Sequence, residues 1–196
     1  KVEEAMKQLN YQPNQIARAL LKNQSYVIGV IVPDLGHPFF AELINWIEHS
    51  ASEKNYKVLV CNSLQDADKE ANYINMLRQN RVDGIIMCSH SQEVENYVNV
   101  GMPIVSFDRV LSPSIPYVAG DNYLGGEIAT NHLIDQGCKR LLHISGPLNN
   151  KLLANRRGDA FQLTCTKANV QWEIIEGSYL QATFEDNMAF IKNTIG

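Results

Sequence analysis

Val27-Ile-Gly-Val-Ile-Val32, then Pro33-Asp-Leu-Gly-His37, then Pro38-Phe-Phe-Ala-Glu-Leu-Ile-Asn-Trp-Ile-Glu-His-Ser-Ala51, is the stretch whose reading decides the fold. Its first six residues are nearly continuous in Val and Ile, the pattern of a strand covered on both faces, as in a parallel sheet. Beyond Pro38 the pattern changes period. Phe39, Phe40, Leu43, Ile44, Ile47 and Ala51 recur at three- and four-residue spacing and make one apolar stripe on a helix. Pro38 suits the first helical turn, where its missing N–H would have no partner. The stretch is therefore a strand, a short polar loop and a helix.

Working outward, the same alternation repeats. Strands are predicted at Lys57–Cys61, Gly84–Cys88, Pro103–Phe107, Tyr117–Ala119, Arg140–Ser145 and Trp172–Ile175. Between them, helices are predicted over Ala67–Gln79 (stripe Ala71, Tyr73, Ile74, Leu77) and from Asn122 to about Gln136, with Gly137 as a C-cap. Two more are predicted over about Lys151–Ala168 and Phe184–Asn193. This order is the signature of a doubly wound α/β fold with parallel sheets. At the start, Val2, Ala5, Met6 and Leu9 form a short helical stripe with nothing upstream to pack on. At the finish, Ile195-Gly196 falls where the alternation calls for another strand. The chain is expected to be a piece of something longer at both ends.

Composition narrows the function classes. The chain has 196 residues, 45% hydrophobic and 19% charged, with a net charge of −4. That excludes disorder as the main state, and bulk charge does not attract nucleic acid. Apolar runs reach only about six residues, far short of a bilayer span, so no membrane partner is expected. Residues 1–25 differ from the body: Lys1, Lys7, Arg18 and Lys22 outnumber Glu3 and Glu4. That end either meets an anionic partner or is a solvated helix face. Cys61, Cys88, Cys138 and Cys165 form no C-x-x-C pair, and three lie in or beside apolar runs. Reduced thiols in a cytoplasmic protein are the simplest account, and no metal site is expected.

Catalytic motifs are missing. There is no G-x-G-x-x-G, no G-x-S-x-G and no H-E-x-x-H. Gly120 and Gly125 have phosphate-loop spacing, but Gly126-Glu127 follows where Lys-Ser/Thr is required. For His49, His90, His132 and His143 no motif pairs the imidazole with an obvious catalytic acid or nucleophile. Neither an enzyme nor a cofactor is expected.

Binding chemistry is present instead. In open α/β sheets ligands sit at the carboxyl ends of the strands. There the sequence places Asp34, His37, Phe39 and Phe40 after the first strand, and Asp108 and Arg109 after the fourth. Asp121 and Asn122 follow the fifth, and Arg156 and Arg157 lie past the sixth. Carboxylates and guanidinium forks each hold two hydroxyls, and ring faces cover C–H surface, so the set suits a small polyhydroxylated ligand. Alternatively Asp34 and Asp121 only cap helices and the arginines are surface residues. Asn14-Gln-Ile-Ala-Arg-Ala-Leu-Leu21 follows Pro13 and could form about two helical turns, too few to persist alone in water. Arg18 and Leu20 project from different sides. Such a helix could enter a DNA minor groove and wedge a base step, or be an ordinary linker.

Taken together these segments resemble the LacI/GalR family of bacterial transcriptional regulators over essentially the whole chain. Val2 to Asn14 is similar to the last helix of that family's helix-turn-helix headpiece, and Ala17-Arg-Ala-Leu20 to its hinge helix. Ile28-Gly-Val-Ile-Val-Pro-Asp34, Pro38-Phe-Phe40, Val82-Asp-Gly-Ile-Ile86 and Phe107-Asp-Arg109 match in order. Gly120-Asp-Asn-Tyr-Leu-Gly-Gly126, Ala129-Thr-Asn-His-Leu133, Gly137 and Arg157-Gly-Asp-Ala-Phe161 follow. The resemblance implies two Rossmann-like subdomains, about Tyr26–Ala119 and from Gly120 onward, with an effector in the cleft between them. It implies Leu20 as the minor-groove wedge, with Asn14, Ala17 and Arg18 at or near DNA. Phe39, Phe40, Asp108, Arg109, Asp121 and Arg157 fall on effector positions, with Asp34 adjacent.

Two departures from the family pattern stand out. Ala160 stands where the family usually has Gly. The helices that read the major groove, and the remainder of the second subdomain, are absent. The expected protein is a repressor of a sugar-utilisation operon, acting as a homodimer on operator DNA. Its expected effector is a sugar or sugar phosphate, with a nucleobase as the other choice. A transport-type sugar-binding protein without a DNA role is the alternative.

Overall fold

The computed structural model describes residues 4, 6, 8–9, 24–88, 101–146, 148, 152–177, 188–190 and 192–193. The chain divides into two compact units, residues 1–118 and 119–196.

In the first unit the order is β1 (Val27–Val32), α1 (Pro38–Glu53), β2 (Lys57–Asn62), α2 (Ala67–Gln79), β3 (Gly84–Met87), β4 (Ile104–Phe107) and β5 (Tyr117–Val118). The strands are all parallel, in the spatial order β2-β1-β3-β4-β5. β1 lies inside this sheet, with Val30 facing Val60 of β2 on one side and Ile86 of β3 on the other. Its residues Val30, Ile31 and Val32 are fully buried because the two faces carry different helices. Val30 and Val32 pack with Phe40, Leu43, Ile44 and Ile47 of α1, while Ile31 packs with Ile74 and Leu77 of α2. The near-continuous apolar run at Val27–Val32 has its cause here. β2 departs from the expectation of two covered faces: it is an edge strand, and Leu59 and Val60 are exposed.

Local chemistry sets the helix starts. Pro38 occupies the first turn of α1, and the N–H of Phe39 donates to His37 Nδ1 at 3.3 Å. At α2 the N–H of Lys69 donates to Asp66 Oδ1 at 2.9 Å.

The second unit contains α3 (Asn122–Asp135), β6 (Arg140–Ser145), a 3-10 turn at Leu153–Asn155, α4 (Arg156–Lys167) and β7 (Gln171–Glu176). β6 and β7 pair in parallel, Leu141 opposite Trp172. Leu141, Phe161 and Cys165 form the core, backed by Ile134, Trp172 and Ile174. β6 alternates rather than being buried throughout: Leu142 and Ile144 face the other side and are each 38% exposed. Gly137, at φ +84°, follows the last turn of α3 in the left-handed region that a C-cap glycine supplies. The helix expected from Lys151 opens as a 3-10 turn and becomes α-helical only at Arg156. Residues 188–190 and 192–193 are helical, within the last helix expected. No helix among the described residues is long and apolar enough to cross a membrane.

Candidate functional site

The strand order of the first unit reverses between β1 and β3, and a crevice opens outside the carboxyl ends of an open α/β sheet at such a switch point. The segment leaving β1 supplies Asp34, whose Oδ1 accepts the N–H of Gly36 at 2.8 Å. Asp34 therefore shapes the loop as an Asx turn, and the cap of α1 falls to His37 instead. The two phenylalanines divide their roles. Phe40 is buried among the β1 valines, whereas Phe39 is 49% exposed although it belongs to the same apolar spacing. Phe39 meets Phe40 edge-on at 5.2 Å between centroids and Phe107, the last residue of β4, at 5.9 Å. His37 joins the cluster at 5.6 Å from Phe40.

The turn after β4 carries the polar side of this corner. Asp108 has φ +53°, a left-handed conformation that Asp tolerates, and its N–H donates to the Val118 carbonyl at 2.8 Å. This kink ends the strand and delivers Arg109. Arg109 is half-buried: burial pushes its guanidinium below the usual arginine value, and the negative charge of Glu70 opposes that shift. The first unit thus collects Phe39, Phe40, Asp108 and Arg109 around the Phe107 end of β4. Exposed rings, guanidinium groups and carboxylates are the side chains that can hold a polar ring with a C–H face.

In the second unit Asp121 caps α3, its Oδ1 accepting the N–H of Leu124 at 2.9 Å. The next residue, Asn122, accepts from Arg157 Nε at 2.7 Å. Arg156 lies over the Tyr123 ring at 5.5 Å. Asp121 and Arg157 therefore share one corner, where the amino ends of α3 and α4 meet. Gly126 permits that approach: a Cβ there would stand 2.6 Å from the Arg157 carbonyl oxygen and 2.8 Å from its Cα. Ala160, the departure from the family pattern, is fully buried with its methyl against this contact, and Arg157 stays exposed. His143 stacks on Phe161 at 5.2 Å, and burial together with the charge of Arg157 lowers its pKa below 6.5.

Asn14, Ala17, Arg18 and Leu20, expected at DNA, lie outside the described residues. Among the described residues no group of three His, Cys, Asp or Glu side chains could hold a metal ion. An open groove of about 530 Å³ lies at the opposite edge of the first sheet, lined by Ile28, Trp46, Ile47, Lys54, Tyr56 and Asp83 among others. It is overwhelmingly apolar and sits at strand starts, so it lacks the converging polar groups of a small-ligand site.

Three participants escaped the sequence reading as site residues. Phe107 sits inside the Phe-Asp-Arg run, yet only the fold shows its ring against Phe39. Asn122 was placed at a strand end, but not as the acceptor that holds Arg157. Glu70, whose negative charge acts on Arg109, belongs to no motif; its one signal is its spacing, four residues before Ile74 and seven before Leu77, on the buried side of α2.

The family model described as periplasmic binding proteins and sugar binding domain of LacI family matches residues 25–176. A sucrose operon repressor of Streptococcus mutans is 39% identical over 170 residues, 87% of this chain and 53% of that protein. A ribose operon repressor of Halalkalibacterium halodurans is 40% identical over 146 residues, 74% of this chain and 44% of its own. The chain thus spans about half the length of the curated relatives it matches. Among solved structures, a periplasmic binding protein/LacI transcriptional regulator from Alkaliphilus metalliredigens, complexed with D-xylulofuranose, superposes with a TM-score of 0.73. It is 34% identical, and the match covers 84% of this chain and 60% of that one. By these matches and by its parallel α/β sheets, the chain belongs to the family of periplasmic binding proteins and LacI-family sugar-binding domains.

Proposed function

We propose that the protein acts in a ligand-responsive, DNA-binding repressor of the LacI/GalR type, one that controls a sugar-utilisation operon. In this reading the two units are subdomains, Tyr26–Ala119 and from Gly120 onward, and a sugar or sugar phosphate lies between them. Phe39, Asp108, Arg109, Asp121 and Arg157 face the ligand, with Phe40 behind Phe39 and Asp34 shaping the loop. The carrying observation is the corner at β4, where an exposed Phe39 ring stands at the Phe107-Asp108-Arg109 turn. The sucrose and ribose repressors among the relatives support a sugar over a nucleobase.

The role is binding and regulation in the cytoplasm, without catalysis. Effector binding and DNA binding share a coupling free energy, because the effector favours one relative orientation of the subdomains. Two copies act together, so that two segments around Asn14–Leu21 fold on operator DNA and insert both Leu20 side chains. Asn14, Ala17 and Arg18 then lie at the backbone and groove. Trp46, 60% exposed on α1 beside the apolar groove, offers surface for the second copy.

The test is a thermal-shift screen of the full-length protein against D-ribose, sucrose, fructose 1-phosphate and purine bases, followed by R109M and R157M variants. A ligand present at 100 times its Kd contributes about 2.7 kcal/mol, a readily measured shift. A sugar should raise Tm in the wild type and lose that effect in both variants. A shift from purines alone, or a sugar response indifferent to both arginines, would sink the assignment.

A further inference from the structure

We propose that His37 is a positioning residue: its neutral imidazole caps α1 and holds the Phe39 ring at the Phe107 end of β4, and effector affinity falls when that imidazole takes up a proton. This rests on the reading of Phe39 as an effector residue.

The first turn of α1 leaves one donor to the imidazole. Pro38 has no N–H, and the N–H groups of Phe40 and Ala41 both donate to the His37 carbonyl, at 3.0 and 3.2 Å. The Phe39 N–H donates instead to His37 Nδ1 at 3.3 Å, with His37 in an extended conformation at φ −77° and ψ 123°. That bond needs a lone pair on Nδ1, so the cap exists only in the neutral ring whose proton is on Nε2. The side-chain caps of α2 and α3 are the carboxylates of Asp66 and Asp121. Of these three helices, α1 alone takes its acceptor from the side chain whose charge changes between about pH 5 and 8.

The capped residue is the one that meets the ligand. His37 stands edge-on to Phe39 at 6.5 Å and to Phe40 at 5.6 Å between centroids. Phe39 in turn meets Phe40 at 5.2 Å and Phe107 at 5.9 Å. Phe40 is anchored in the core, whereas Phe39 is half-exposed and takes its direction from the cap and these ring contacts. Protonation acts on this corner twice. It removes the acceptor of the Phe39 N–H. It also places positive charge at the positive end of the helix, where α1 has no acidic residue in its first turn to offset it. The charged groups on the elements that meet here are Asp34 in the same loop, Glu42 further along α1, and Asp108 and Arg109 on the turn after Phe107. The Asp34 carboxylate is turned to the Gly36 N–H at 2.8 Å.

The experiment uses the full-length protein carrying H143Q, so that His143, on which the Arg157 charge acts, does not titrate. The first readout needs no effector. With nitrogen-15 phenylalanine, and F39L to identify the signal, the Phe39 amide resonance should shift between about pH 8 and 5 and stay in place when H37N is added. A resonance that does not shift, or that shifts equally in H37N, overturns the cap. The second readout is calorimetric binding of D-ribose and sucrose at about pH 7.5 and 5.5. A sugar that binds should bind several-fold more weakly at the lower pH. Asparagine is a good cap with no charge to gain, so H37N should bind within about twofold of the reference at the higher pH and lose nothing at the lower. H37A should be several-fold weaker at both. An H37N protein that keeps the pH dependence, or an H37A protein that binds like the reference, overturns the positioning role and leaves the effector reading standing. A Phe39 resonance that titrates through His37 in a protein that binds neither sugar overturns the role and the effector reading together, leaving only the cap.

Discussion

His143 illustrates how a single side chain takes its chemistry from what surrounds it. Half-buried against Phe161, and repelled by the charge of Arg157, its imidazolium is disfavoured in the folded state. Folded His143 thus binds its proton less tightly than unfolded His143. At neutral pH both forms are neutral and the group contributes nothing adverse. As pH falls below 6.5 the unfolded chain takes up protons first, so stability declines until the folded value is passed. Urea titrations across pH 7.5 to 5 should show the wild type losing stability faster than H143Q. Parallel slopes would show that His143 is not the group responsible. The thiols respond to burial in the opposite sense: burial pushes Cys88 up to about 12 and raises Cys61 and Cys165, which keeps them protonated and unreactive.

At the scale of elements, the pair α3 and α4 depends on the absence of one atom group. Gly126 and Thr130 are the buried residues of α3, and Gly126 faces α4 at Arg157 and Ala160. Because the atoms that a Cβ at Gly126 would strike are backbone, no side-chain rotation relieves the clash. G126A should therefore push the helices apart and cost about 1–3 kcal/mol, read by urea denaturation. It should also displace the Arg157–Asn122 hydrogen bond and weaken sugar binding in the proposed site. A G126A protein as stable as wild type would mean that the helices slide freely past each other. In the first unit, α1 works the other way. Its stripe buries Phe40 and Ala51, while Phe39, in the first turn, stays half-exposed against Phe107 at the end of β4.

For the whole molecule, the informative feature is where the chain enters the first sheet. Asp83, just before β3, holds Ser25 and Tyr26. Its Oδ1 accepts from the Ser25 N–H at 2.7 Å and the Ser25 hydroxyl at 2.9 Å, and its Oδ2 accepts from the Tyr26 N–H at 3.0 Å. Gln24 donates to the Tyr56 hydroxyl at 2.9 Å. Burial raises the Asp83 pKa, but the hydrogen bonds from Ser25, Tyr26 and Tyr56 together outweigh it and bring it below 3.8. This clamp fixes Ser25 and Tyr26 where the chain enters the sheet. In the proposed mechanism it carries the effector signal to DNA. D83A in the full-length protein should cost about 1.5–3 kcal/mol of stability, as the loss of hydrogen bonds to a charged group does. Sugar affinity should stay near wild type while the sugar's effect on operator binding shrinks, read by fluorescence anisotropy at fixed salt. An undiminished sugar effect on operator binding would remove the clamp from the relay.

Much of this architecture was legible in the residues alone. Val27–Val32, the period change at Pro38, the cap at Asp121 and the glycine at Gly137 act within a few residues, so strand and helix positions could be read with no fold in view. The β-α order predicted parallel sheets for the same local reason. The predicted strands and helices put Asp108 and Arg109 after β4, Asp121 before α3 and Arg157 near the start of α4, where the fold has them. Only the tertiary structure decided that β2 is an edge, that Phe39 faces Phe107 while Phe40 does not, that Asn122 holds Arg157, and that Glu70 is fully buried. Each of these joins residues far apart in the chain. A pairing of that kind is set by which elements become neighbours when the core closes, and no periodicity within one element encodes it.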